Sequence, residues 1–109
     1  MQNANLLTKL FLLLFLSSSL LSQQLDNFNF DTKVKLQTIK KISTLLEDNY
    51  VFPETAKKMK EYINTRLKSG EYDQVDDPMK FSEVLTADLQ SISNDKHIRV
   101  RFSPEDAKR

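Results

Sequence analysis

The stretch VFPETAKKMKEYINTRLKSG, residues 51–70, carries both the start and the stop signal of a helix. Pro53 suits the first helical position, where a missing N–H is no loss, and Glu54 suits the positive end of the helix dipole. Gly70, the only glycine of the chain, stands where a left-handed cap is wanted. These signals predict a helix over about residues 53–69. Its predicted buried stripe is Ala56, Met59, Ile63 and Leu67, with Tyr62 beside them.

The residues before this stretch, 33–50, read KVKLQTIKKISTLLEDNY and also repeat with helical spacing. Asp31 or Thr32 is the candidate N-cap. The predicted buried stripe is Leu36, Ile39, Ile42 (or Ser43), Leu46 and Tyr50. The predicted solvent face is Lys35, Lys40, Lys41 and Glu47. One apolar stripe with charges opposite it is typical of an amphipathic helix.

The residues after it repeat the start signal, because Asp77 is followed by Pro78. A third helix is predicted over about residues 78–93. Its predicted buried stripe is Phe81, Val84 or Leu85, Leu89 and Ile92, with Asp88 turned outward. Three amphipathic helices joined by short turns bury their stripes against one another. The predicted fold class is therefore mainly α, with a small three-helix bundle over residues 34–94.

The pattern then changes to a period of two over residues 97–102. Its polar members are His97, Arg99 and Arg101, and its apolar members are Ile98, Val100 and Phe102. Strict alternation predicts a half-buried β-strand, and the residues after it read as a turn and a charged tail. A strand needs a neighbouring strand, and no other segment offers one. We therefore expect one lone strand within residues 95–109 that belongs to a sheet outside this chain. Either the reading frame is truncated, or the strand pairs with another protein.

Composition narrows the class of protein. With 109 residues there is room for one domain at most, and 39% hydrophobic with 28% charged residues is ordinary for a folded chain. A net charge of +1 implies no polyanionic partner, so nucleic acid is not expected. One glycine and three prolines argue against an all-β fold. The absence of cysteine excludes a disulfide framework and a thiolate metal site.

The N-terminal residues 1–22 are typical of a signal peptide. Lys9 precedes an unbroken apolar run from Leu10 to Leu16, which is short of the roughly 20 residues that span a bilayer. Cleavage after Ser19 and cleavage after Ser22 both stay open, and an uncleaved anchor is the alternative. We expect export to the periplasm or the extracellular space, with membrane contact only through this signal. Residues 23–33 are predicted to be a linker.

Three short markers carry a resemblance to a known family. They are Asn49-Tyr50-Val51-Phe52-Pro53, Gly70-Glu71-Tyr72-Asp73, and Asp95-Lys96-His97 with the alternating residues after it. Over about residues 34–105 the chain resembles the N-terminal region of the C-terminal-processing (tail-specific) serine peptidases, in their interphotoreceptor retinoid-binding protein-like branch. The resemblance implies a helical N-terminal domain of an exported serine-type peptidase, or of a retinoid- or lipid-binding relative.

The same resemblance implies that residues 97–102 are the first strand of a missing α/β catalytic core. The family's nucleophilic serine, oxyanion-hole glycines and lysine or glutamate partner lie downstream of this strand. A single glycine also rules out a Gly-x-Ser-x-Gly motif here. Without a nucleophile and an oxyanion hole, a tetrahedral intermediate is not stabilised. We therefore expect this polypeptide to be truncated before the catalytic serine and inactive alone.

His97 is the candidate catalytic residue, because only its side chain ordinarily titrates near neutral pH. The resemblance allows it the role of general base in a full-length relative, with Asp95 orienting its imidazole. The alternatives are a histidine that fixes the helix-to-strand turn, and a metal ligand. The cluster Asp73, Asp76 and Asp77 lacks the spacing of a calcium loop and reads as caps and turns. No metal and no cofactor are expected.

Two further sets of side chains have a structural and a functional interpretation. Lys96, Arg99 and Arg101 form a basic strip that reads as a solvated strand face or as salt-bridge partners of the absent core. Tyr50, Phe52, Tyr62 and Phe81 read as ordinary core rather than as a lipid pocket. Two alternatives to the peptidase domain stay open: a standalone secreted helical module that adds its strand to a partner's sheet edge, or a binder of a small apolar ligand. The expected partners are thus the missing core or a protein offering a sheet edge, with a peptide or apolar ligand as further options.

Overall fold

A computed structural model describes residues 29–107, which form three long helices and one short helix. Their bounds are α1 (Thr32–Asn49), α2 (Pro53–Lys68), α3 (Pro78–Ser93) and α4 (Pro104–Ala107). The prediction of a mainly helical chain with three long helices is confirmed. The predicted signal peptide, 1–22, lies outside the described residues.

The three long helices begin where the local signals place them. The Asp31 carboxylate accepts a hydrogen bond of 3.0 Å from the Val34 N–H, so α1 begins inside the segment predicted to be linker, 23–33. Pro53 opens α2. The Asp77 carboxylate accepts a bond of 2.7 Å from the Met79 N–H at the start of α3. Each bond satisfies an N–H that the helix itself leaves unpaired.

Left-handed residues end α2 and α3. Gly70 has φ +80°, and the Glu71 N–H donates to the Arg66 carbonyl at 3.0 Å, which completes a Schellman motif. A Cβ at Gly70 would meet Asp73 Oδ2 at 2.9 Å, a contact that the Asp73 side chain can relieve by moving, so the positive φ is what favours glycine here. Asn94, with φ 56°, ends α3 with a left-handed cap that was not predicted. Asparagine is one of the few non-glycine residues that tolerate this conformation.

The core forms where α2 packs against both α1 and α3. The backbones of α1 and α3 lie further apart than those of either helix pair that includes α2. The fully buried apolar side chains include Ile39 of α1, Ile63 of α2 and Leu85 of α3. Tyr72, in the connection between α2 and α3, is also fully buried and contacts Phe81 edge-on. The predicted stripes of α2 and α3 therefore face the core as expected.

On α1 the predicted buried stripe is confirmed at Ile39, at Ser43 (the alternative to Ile42) and at Leu46, but its first position is displaced by one residue. Leu36, predicted to be buried, is 54% exposed, whereas Lys35, predicted to be on the solvent face, is 6% exposed. Lys35 Nζ donates to the main-chain carbonyl of Tyr72 at 2.9 Å and lies 5.3 Å from the centre of the Phe30 ring. The prediction was wrong because the α2–α3 connection packs over this end of α1 and offers a carbonyl to an ammonium group.

The predicted lone β-strand is not present in the described part of the chain. Residues 98–103 form no ladder, although the alternation of half-buried and exposed side chains over 98–102 is that of an extended chain. Their apolar face does not require a sheet, contrary to the prediction, because Ile98 and Val100 pack against the helical core instead. The alternation therefore no longer indicates a sheet outside the chain. The tail predicted to be only a turn forms the short helix α4, whose Asp106 N–H lies 3.4 Å from Ser103 Oγ.

Candidate functional site

The C-terminal segment, residues 97–102, keeps the two faces that its alternation predicts. Ile98, Val100 and Phe102 are half-buried against the helices. Arg99 and Arg101 are exposed on the opposite face. The side chains of the basic strip are thus exposed to solvent, but on a segment that lies on a helical layer and not on the predicted strand.

Side chains of α3 hold one edge of the C-terminal segment. The Val100 N–H donates to Thr86 Oγ1 at 2.9 Å, and the Gln90 side-chain amide donates to the Ile98 carbonyl at 2.9 Å. Four residues of a helix span about 6 Å along its axis, and two residues of an extended chain span about 6.7 Å. Side chains at positions i and i+4 of α3 can therefore bond every second residue of the segment. Thr86 and Gln90 therefore supply on this edge the main-chain hydrogen bonds that a neighbouring strand supplies in a sheet.

In the part of the chain that the structure describes, the opposite edge of the C-terminal segment is open at Arg99 and Arg101. In an extended chain the N–H and C=O groups of successive residues point to alternate sides. Since those of Val100 point towards α3, those of Arg99 and Arg101 point away from it. Within residues 29–107 no hydrogen bond reaches the main chain of Arg99 or Arg101. An unpaired row of this kind is a template for an added strand.

A groove of about 510 Å³ lies beside the C-terminal segment, between it and α1. Its apolar lining includes Leu45, which is 52% exposed, and its charged lining residues are Lys41, Arg99 and Arg101. Its remaining lining residues are Thr38, Ile42, Leu46, Asn49, Tyr50, Leu89, Ile98 and Val100. The groove therefore combines an apolar floor with a purely cationic charged lining.

Asp95 fixes the turn that leads into the C-terminal segment. Its carboxylate accepts a hydrogen bond of 2.9 Å from the His97 N–H and one of 3.3 Å from the Tyr50 hydroxyl. The first of these bonds is the main reason that the pKa of Asp95 lies below its ordinary value. Burial, together with the charge of Asp95, raises the pKa of Tyr50. These contacts connect the end of α1 to the turn after α3.

His97 projects from this turn into solvent. Its side chain is fully exposed, and its Nδ1 lies 3.2 Å from Asp95 Oδ1. Its role as a general base in a full-length relative stays a prediction. Among the described residues no three carboxylate or histidine side chains converge as a metal site. In the aspartate cluster, Asp77 caps α3.

The four aromatic side chains predicted to be core divide between core and surface. Phe81 is buried against Phe30 and Tyr72, whereas Tyr50 and Tyr62 are half-buried. Phe52, predicted to be core, is 64% exposed. That prediction was wrong because Phe52 precedes α2, in the turn where the chain leaves the core.

Sequence reasoning missed two groups of polar residues. Thr86 and Gln90 hold the C-terminal segment, and their signal was a pair of polar residues four apart on α3 with an alternating segment behind them. Asp88, predicted to face outward, has a side chain only 13% exposed, 3.0 Å from Arg66 Nε. No spacing rule indicated that Arg66 and Asp88 meet, because they lie on different helices. Tyr72, which also bonds Asp88, lies in the connection between those helices.

Comparison with known proteins places this fold in a family. The family described as the N-terminal domain of Peptidase S41 in eukaryotic IRBP matches residues 20–109. That match confirms the resemblance drawn from the three sequence markers. No solved structure matches the chain. Among the helices that the structure describes, none is long and apolar enough to cross a membrane.

Proposed function

The chain belongs to the family of N-terminal domains of S41 peptidases, and on that premise we propose that it is the helical N-terminal domain of an exported serine-type peptidase of the tail-specific kind. The observation that carries the proposal is the family match over residues 20–109. The apolar run at residues 10–16 and the serines after it support export.

The proposed role of the domain is to dock on the catalytic core. The C-terminal segment supports this role, since Thr86 and Gln90 hold one edge and leave the main chain of Arg99 and Arg101 open. A strand of the core would pair with this open edge. Catalysis would come from the core, because one glycine provides neither a Gly-x-Ser-x-Gly motif nor an oxyanion hole within these 109 residues. The 109-residue chain alone is proposed to be inactive.

Capture of the native protein with an antibody against α2 and α3 tests this proposal. We expect a protein that is heavier than 12.7 kDa, is recovered outside the cytoplasm, and cleaves an unfolded protein substrate. Its first residue should be Leu20 or Gln23, after cleavage at Ser19 or Ser22. The purified 109-residue chain is the control and should show no cleavage. A native protein that keeps Met1 and stays in the cytoplasm would contradict export. A native protein of 12.7 kDa or less would contradict the attached core.

A second candidate function is a secreted module that binds a protein partner by strand addition. The open edge at Arg99 and Arg101, next to the apolar groove, favours it. In this case the captured native protein is no heavier than the chain and is inactive, and it carries a bound partner.

A further inference from the structure

We propose that the groove between α1 and the C-terminal segment binds an extended peptide in which acidic side chains alternate with apolar ones. The peptide adds as a strand at the open edge of Arg99 and Arg101. This inference deepens the second candidate function and rests on strand addition.

The open edge determines where the peptide lies. A paired strand runs about 4.8 Å from its neighbour. Because the α3 side is taken by Thr86 and Gln90, the added strand lies on the side of α1, over the groove. In an antiparallel arrangement Arg99 and Arg101 each exchange two main-chain hydrogen bonds with the residue opposite. Four hydrogen bonds thus hold a peptide of about five residues in register.

The two faces of the added strand determine its side chains. Residues directly opposite each other in paired strands project to the same face. The peptide residues opposite Arg99 and Arg101 therefore stand in solvent beside guanidinium groups, where carboxylates are favoured. The residue between them faces inward onto Leu45, where an apolar side chain is favoured. The preferred core of the peptide is acidic, apolar, acidic.

The charges of the groove also argue against other occupants. Lys41, Arg99 and Arg101 are its charged lining residues, so a cationic peptide is repelled. A second copy that paired through its own C-terminal segment, centred on Val100, would place Arg99 opposite Arg101, and like charges directly opposite are destabilising. A small apolar ligand would fill the floor but would leave the main-chain groups of the edge unpaired.

Binding of short synthetic peptides to the full 109-residue chain tests the proposal. The probe is the capped hexapeptide TEVEVT, and its neutral counterpart is TQVQVT. A third peptide carries TEVEVT with N-methyl groups on both glutamates, which blocks main-chain pairing. We expect the acidic peptide to bind about fivefold or more tightly than the neutral one at low salt, and the advantage to shrink with added salt. The N-methylated peptide should not bind. The amides of Arg99 and Arg101 should become protected from hydrogen exchange.

Charge variants separate the acidic preference from strand addition. The double substitution Arg99→Gln and Arg101→Gln should remove the preference for TEVEVT and keep weak binding of both peptides. Both side chains are exposed, so the fold should persist. The matched control, Lys57→Gln with Lys58→Gln on the exposed surface of α2, should leave the preference unchanged.

Each remaining outcome overturns a stated part of the proposal. Equal affinity for TEVEVT and TQVQVT overturns the acidic preference and leaves strand addition standing. Binding of no peptide overturns strand addition by a free peptide, while attachment to a catalytic core is decided separately by the mass and activity of the native protein. Decanoate that occupies the groove and excludes TEVEVT, without protecting Arg99, assigns the groove to an apolar ligand. A dimer with Arg99 protected in the absence of peptide assigns the edge to a second copy.

Discussion

The phenolic hydroxyl of Tyr72 donates a hydrogen bond of 2.6 Å to Oδ2 of Asp88 on α3. The same carboxylate oxygen lies 3.0 Å from Nε of Arg66 on α2. The guanidinium of Arg66 also lies over the Tyr72 ring, 5.5 Å from its centre. The Asp88 carboxylate thus joins the connection between α2 and α3 to both helices.

Replacing Tyr72 with phenylalanine should lower the free energy of unfolding by about 1.5–3 kcal/mol, because the bond it removes goes to a charged group in a buried site. Urea unfolding at pH 7 measures this change. Tyr62→Phe is the control, since Tyr62 is half-buried and its ring contact with Arg66 survives the substitution. It should cost under about 0.5 kcal/mol. An equal loss of unfolding free energy in the two variants would show that the hydrogen bond from Tyr72 to Asp88 does not stabilise the fold.

The contribution of Tyr72 should disappear at alkaline pH. Burial, and then the bond to Asp88, raise the pKa of Tyr72 in the folded chain, whereas an unfolded tyrosine ionises near pH 10. Stability from this shift is fully present below about pH 10 and is lost as the pH rises towards the folded-state pKa. The difference between the wild type and Tyr72→Phe should therefore be smaller at pH 11 than at pH 8 in urea unfolding. A difference that grows with pH would contradict this assignment.

Lys35→Met should destabilise the fold by about 1–3 kcal/mol, because the Tyr72 carbonyl loses the ammonium donor that satisfies it. Thermal or urea unfolding measures the change. Lys40→Met is the matched control on the same helix, with an exposed side chain, and should change stability by less than about 0.5 kcal/mol. If both variants behave alike, the contact between Lys35 and Tyr72 contributes nothing to stability.

Thr86→Val should release the C-terminal segment without unfolding the helices. The Val100 amide, which donates to Thr86 Oγ1, should exchange its hydrogen about tenfold faster in the variant. The amides of Arg99 and Arg101 should exchange fast in both proteins. Thr65→Val, at an exposed position of α2, is the control and should leave Val100 unchanged. Unchanged exchange at Val100 in Thr86→Val would show that the side chain of α3 does not hold this edge.

Local signals predicted where the long helices begin and where α2 ends. The caps at Asp31 and Asp77 and the left-handed Gly70 involve hydrogen bonds within one turn of their helix, so the neighbouring residues contain all the information. The three markers Asn49–Pro53, Gly70–Asp73 and Asp95–His97 together indicated the family, which the match over residues 20–109 confirms.

Only the tertiary structure decided what the polar residues of the core and the C-terminal segment contact. Lys35 is buried because a carbonyl 37 residues away meets its ammonium group, and helical spacing contains no record of such a partner. Alternation over 97–102 showed that one face is covered, but it did not show by what. A helix can cover an apolar face as well as a sheet can, and Thr86 and Gln90 supply the hydrogen bonds of one edge.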